Sequence, residues 1–222
     1  MKALFVLSLS LLALVASAKD NFDFFYLVQQ WPGSYCDTKR ACCYPVTGKP
    51  DPIFTIHGLW PNYNDGTYPS NCDQQNEFDG REIEDLQRTM EEYWPTLACP
   101  TGNGLKFWAH EWDKHGTCTE STLDQHSYFL SALNLYKKAN LLTALQDAGI
   151  EPDDRFYSVD SIKLAIKESV GFTPGLECNK DGSGNQQLSE VYLCVDKSGQ
   201  KFINCPNFPR ISCRKQVQFP SF

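Results

Sequence analysis

Positive charge, histidine and a second long apolar run are what this sequence has least of. It holds 20 Lys and Arg against 27 Asp and Glu, a formal net charge of −7 with only four histidines. That balance argues against tight, sequence-independent binding along a nucleic-acid backbone, which depends on many Lys and Arg neutralising phosphates. It leaves room for an enzyme that grips one phosphate locally and lets go. No Cys-x-x-Cys pair occurs among the ten cysteines, so the usual spacing of a zinc cluster is missing. No Asn-x-Ser/Thr sequon is present, and N-glycosylation is not expected. There is no Gly/Ser-rich or Pro-rich linker and no internal repeat, which points to one domain.

One apolar run does occur. Lys2 is followed by Leu4 to Val15, interrupted only by serines, and then by Ala16-Ser17-Ala18. A basic start, a short apolar stretch and a small-x-small site form the pattern of a cleaved secretory signal. The run is too short to span a bilayer, which takes roughly 20 residues. Residues 1–18 are therefore expected to be a signal peptide, and Lys19 to Phe222 a single mature domain. All ten cysteines fall in that part. An even count behind a leader implies an oxidising compartment and up to five disulfides. Adjacent Cys42 and Cys43 are expected to go to different partners. The C-terminus, Phe219-Pro-Ser-Phe222, is not a KDEL-like retention signal. Secretion to the extracellular space is the expectation, with the vacuole as an alternative, and no membrane partner.

The hydrophobic patterning predicts strands at Asp23 to Gln30 and Ile53 to His57. Helices follow at Arg81 to Tyr93, Phe107 to His115, Ser127 to Asp147 and Asp160 to Val170. Short strands are predicted at Val191 to Val195, Lys201 to Asn204 and Val217 to Phe219. Helices grouped in the middle with strands at both ends indicate an α+β fold.

Three of the four histidines lie in two dense segments, FTIHGLWP (Phe54 to Pro61) and FWAHEWDKHGTC (Phe107 to Cys118). On a helix, at about 100° per residue, Phe107, His110, Glu111, Lys114 and His115 share an arc of roughly 140°. Trp108 and Trp112 lie beside that arc and can pack inward. One face of a short helix can thus present two imidazoles, a carboxylate and an ammonium. The zincin spacing needs histidines four apart. Here they are five apart, and Lys114 between them would repel a cation, so no metal or other cofactor is expected. In the first segment, strand alternation sends Phe54 and Ile56 to the core and His57 to the other side. Gly58 permits a close approach and Trp60 offers a stacking surface. His126 stands outside both segments and reads as an ordinary surface histidine.

Imidazole suits acid–base work near neutral pH, because its unperturbed pKa of about 6.5 allows either proton state. RNA cleavage through a 2′,3′-cyclic phosphate needs a base for the 2′-hydroxyl and an acid for the departing 5′-oxygen. It also needs fixed donors for the charge that develops on the phosphoryl oxygens. The two segments supply such a set.

The two segments resemble the two active-site blocks of the ribonuclease T2 family, the secreted acid ribonucleases. FTIHGLWP resembles the first and HEWDKHGTC the second, without a substitution. FYLVQQWPGSYC and the cysteine layout resemble the plant S-like members. The resemblance implies an α+β domain around an antiparallel sheet and an endoribonuclease of low base specificity acting on single-stranded RNA. It implies His57 as general acid and His115 as general base. Glu111 and Lys114 would stabilise the pentavalent state, and His110 would bind the phosphate. Gln30, Thr96, Leu97, Ala98 and Phe107 fall where substrate bases are held, and Trp60 where another base can stack. The resemblance also implies the pairs Cys36–Cys42, Cys43–Cys99, Cys72–Cys118, Cys178–Cys213 and Cys194–Cys205, and a role in RNA turnover, phosphate recovery, senescence or defence. A monomer is expected. Two alternatives stand beside this reading. One is a self-incompatibility ribonuclease, a group usually basic and glycosylated. The other is a catalytically inactive storage or binding relative, which loss of His57 or His115 would announce.

Overall fold

The computed structural model describes residues 22–40, 42–209 and 213–222. The expected signal peptide lies outside them. The first strand, β1 (Phe24–Gln30), is buried along its whole length. Its three aromatic residues and Val28 suit a pleated surface covered on both sides. It pairs antiparallel with β2 (Thr55–Asn62) on one side and with β5 (Gln186–Asp196) on the other. Further strands are β3 (Phe156–Ser158), β4 (Gly175–Lys180) and β6 (Gln216–Gln218). The sheet order is β2-β1-β5-β6-β3, with β4 also paired to β5. All pairings are antiparallel except β5 with β6, which run parallel through Gln187 and Gln218.

Alternation along β1 divides the core. Phe25 and Leu27 join Ile56 and Leu59 of β2 on one face, under α2 (Gln87–Tyr93), α3 (Leu105–Lys114) and α4 (Gln125–Lys138). Phe24, Tyr26 and Val28 meet Tyr192 and Cys194 on the opposite face, with Trp60 packed against them. A further cluster lies under α5 (Leu141–Asp147) and α6 (Val159–Val170), and includes Trp31 just before α1 (Pro32–Cys36). Five disulfides join Cys36 to Cys42, Cys43 to Cys99, Cys72 to Cys118, Cys178 to Cys213 and Cys194 to Cys205.

Several predicted boundaries are corrected. The helix expected over Arg81 to Tyr93 is a 3-10 turn, Gly80–Ile83, followed by the shorter α2. The turn is capped by Asp79, whose carboxylate accepts from the Arg81 amide at 2.9 Å. The helix expected over Ser127 to Asp147 is two. Asn140 breaks it by accepting from the Thr143 amide with its own side chain, which starts α5. An Asn that can cap competes with the helical ladder, and Leu-rich sequence on both sides hides the break. Lys201 to Asn204 forms no strand; Phe202 makes only an isolated bridge to Val195. Strands β3 and β4 were not anticipated.

Candidate active site

His57 stands at a β-bulge. Val28 pairs with Gly58 and the next residue, Gln29, pairs with Ile56, so His57 is the extra residue. The bulge lets Ile56 and Leu59 both enter the helix-side core and turns the strand locally at His57. Hydrogen bonds pin the backbone on either side. The Trp94 indole donates to the His57 carbonyl at 3.0 Å, and the Tyr128 hydroxyl donates to the Leu59 carbonyl at 2.8 Å.

Helix α3 brings the second segment to the same place. Trp108 and Trp112 are buried and fix its inner face. Their indoles donate to the Trp94 and Asn76 carbonyls at 2.9 Å each. His115 forms the C-terminal cap of α3, its amide donating to the Glu111 carbonyl at 3.0 Å. The Cys72–Cys118 bridge, with the Asn71 amide on the Lys114 carbonyl at 2.9 Å, ties the following turn to a loop.

The side chains converge around Trp60. Its ring stacks on His115 at 5.2 Å between centroids and 23° between planes, and stands edge-on to His57 at 4.9 Å. Its indole N–H donates to Glu111 Oε2 at 2.7 Å. Phe107 lies 5.9 Å from His57. His110 is exposed and Lys114 half-buried at the rim. His57, Trp60, Phe107, His110, Glu111, Lys114 and His115 therefore belong to one constellation. One face of Trp60 is already covered by His115, so a base can reach only what remains. From Trp60, Lys114 and His115 a cleft of about 650 Å³ runs past Tyr26, Asn62 and Tyr68.

The remaining predicted residues stand elsewhere. Gln30 is buried on β1, opposite Thr55 on one side and Glu190 on the other. Thr96 and Leu97 are buried and Ala98 is exposed, on the loop after α2; the Leu97 carbonyl accepts from the Cys43 amide at 3.0 Å. Among the described residues, no hydrogen bond or ring contact joins these three to His57 or His115. His126 pairs with Asp85 at 3.1 Å on the surface.

Burial and neighbouring charge separate the titrating groups. His57 loses hydration, but the Glu190 carboxylate at 2.5 Å and the charges of Glu111 and Glu177 outweigh that loss and raise its pKa. His115 is 5% exposed, and its Nδ1 is buried with no hydrogen-bond partner. Burial, then Lys114, His110 and His57, push its pKa down to about 3. His110 is lowered by burial and by Lys114. Burial pushes Glu111 up to about 7 against the pull of His57 and the Trp60 bond. Ionising Glu111 there costs about 3 kcal/mol relative to water. Burying Trp108 and Trp112 on the same helix, on the order of 4 kcal/mol each, more than offsets it. Among the described residues, no group of three or more His, Cys, Asp or Glu is disposed to hold a metal ion.

Sequence reasoning missed Glu190. It lies 133 residues from His57 and reaches it only through the β1–β5 pairing. The one available signal was a carboxylate inside the otherwise apolar strand SEVYLCV.

The sequence profile described as Ribonuclease T2 family matches residues 22–205. Ribonuclease 1 of Arabidopsis thaliana is 62% identical, over 93% of this chain and 90% of that protein. Two Solanum lycopersicum proteins, extracellular ribonuclease LE and intracellular ribonuclease LX, are 57% and 58% identical. They are matched over 94% and 96% of this chain and over 91% and 89% of their own lengths. The crystal structure of RNase NT in complex with 5′-AMP superposes with a TM-score of 0.89 at 55% identity, covering 91% of this chain and all of that one. With both active-site segments assembled on this fold, the chain belongs to the ribonuclease T2 family, among its plant S-like members.

Proposed function

We propose that this ribonuclease cleaves single-stranded RNA by transesterification at the 2′-hydroxyl, without a metal. His115 is the base and His57 the acid. The contrast between the two imidazoles within one cluster carries the reading. His57 lies against the Glu190 carboxylate, which raises its pKa and favours its acid form. His115 is buried without a carboxylate partner, which lowers its pKa and favours the neutral base. The His115 imidazole takes the 2′-hydroxyl proton, and the 2′-oxygen forms a new bond to phosphorus. The phosphorus–5′-oxygen bond breaks, and His57 gives its proton to the departing oxygen. A 2′,3′-cyclic phosphate and a free 5′-hydroxyl result. At the rim, Lys114 offers positive charge and His110 an N–H donor to the phosphoryl oxygens as charge builds there. Glu111, with its pKa near 7, can donate from a neutral carboxyl or polarise a neighbour. Trp60 and Phe107 offer rings on which bases stack with little base specificity; of Gln30, Thr96, Leu97 and Ala98, only Ala98 is exposed to a base.

A leaving-group experiment separates acid from base. A uridine 3′-phosphate ester of p-nitrophenol needs no proton on its departing oxygen. His57→Ala should lose about 10³-fold on a dinucleoside phosphate yet recover most of its rate on this ester, while His115→Ala stays inactive on both. Equal losses of His57→Ala on both substrates would contradict His57 as the acid, and recovery of His115→Ala on the ester would reverse the assignment. Export is proposed on the leader at residues 1–18; the native protein should begin at Lys19 by mass, and a mass retaining Met1 would contradict it.

A further inference from the structure

We propose that Glu190 is the positioning residue for His57, holding its Nδ1–H so that Nε2–H points at the leaving oxygen; this rests on the acid role just assigned to His57. Glu190 Oε1 lies 2.5 Å from His57 Nδ1, and Glu190 Oε2 lies 2.7 Å from the Tyr192 hydroxyl, which also lies 2.9 Å from Glu177 Oε2 and shares its one proton between the two carboxylates. Both carboxylate oxygens are thereby engaged, and the imidazole is left one free nitrogen. When one ring nitrogen is bonded to a carboxylate, the tautomer and ring orientation are fixed.

The charge at position 190 is not what the fold alone would select. Glu177 on β4 is the direct cross-strand partner of Glu190. Like charges directly opposite are unfavourable. A glutamine at 190 could accept from Tyr192 without that repulsion. A local rule broken beside an acid–base pair points to the reaction and not to the sheet. The charged and titrating groups facing His57 are Glu190 and Tyr192 of β5, Glu177 of β4, and His110, Glu111 and His115 around α3. Only Glu190 is in hydrogen-bond contact with the ring among the described residues.

The test is the pH profile of kcat/KM for Glu190→Gln on a dinucleoside phosphate, read beside the His57 titration by 15N NMR. The alkaline limb should move about one pH unit lower, since the limb reports the protonated acid. At pH 7.5 kcat should fall about tenfold or more with KM little changed. Glu190→Asp keeps the charge, so its limb should stay near the wild-type position while kcat drops. If Glu190→Gln fails to fold, the wild-type protein alone decides. His57 should then carry its proton on Nδ1 when neutral and titrate above 6.5; a proton on Nε2, or titration below 6.5, overturns the proposal. An unmoved alkaline limb in folded Glu190→Gln overturns it as well. If His57→Ala is inactive while Glu190→Gln matches wild type, this inference alone falls; a fully active His57→Ala would remove the acid assignment beneath it.

Discussion

The Trp60 indole donates to the Glu111 carboxylate at 2.7 Å, and the bond passes directly over Gly58. A Cβ at position 58 would lie on both the Trp60 nitrogen and Glu111 Oε2. The glycine between His57 and Leu59 is therefore a space requirement of the site. Gly58→Ala should break that bond and leave a buried carboxyl with one partner fewer, a penalty of about 1–3 kcal/mol. We expect kcat/KM to fall at least about tenfold. Steady-state kinetics beside a thermal melt checks this; unchanged kinetics would show that the bond does not matter to turnover.

His115 makes stability depend on pH in a definite direction. Its folded pKa is lowered to about 3, while the unfolded value is about 6.5. Between those limits the unfolded chain binds a proton that the folded protein refuses, so stability is lost as pH falls from 6.5 towards 3. Replacing the imidazole with a ring that does not titrate removes the effect. His115→Phe should gain on wild type as the pH drops, by at most about 1.4 kcal/mol per pH unit. Urea denaturation of both proteins at pH 7 and pH 5 measures the difference; a constant gap would mean that His115 is not held neutral.

Much of the site was legible because it is local. HEWDKHG lies on α3 and the turn after it, and a period of 3.6 residues suffices to put His110, Glu111, Lys114 and His115 on one arc with Trp112 beside it. The bulge at His57 was not legible, because it exists only in the register of β1 against β2. Glu190 was hidden for the same reason. The break at Asn140 was missed because its side-chain cap left no gap in the apolar pattern. The α+β class survived these local errors, since it depended on the order of elements and not on their ends.

The Cys72–Cys118 bridge closes a separation of 46 residues just after His115. Removing it as Cys72→Ala with Cys118→Ala should lower stability by about 4 kcal/mol through the freed chain entropy of the unfolded state. It should also loosen the turn that follows His115, so kcat should fall more than KM rises. Urea denaturation gives the first quantity and steady-state kinetics the second. A stability loss with unchanged kcat would make the bridge purely structural.

The proposed mechanism depends on the internal nucleophile and the two histidines. The direct measurement is mass analysis of a defined RNA oligonucleotide after incubation with the oxidised protein in excess EDTA. The same oligonucleotide with 2′-deoxy sugars and the His115→Ala variant run alongside. We expect 2′,3′-cyclic phosphate ends from wild type on RNA, with the chelator present, and no cleavage in either control. Loss of all activity in EDTA, or cleavage of the 2′-deoxy strand, would contradict the mechanism.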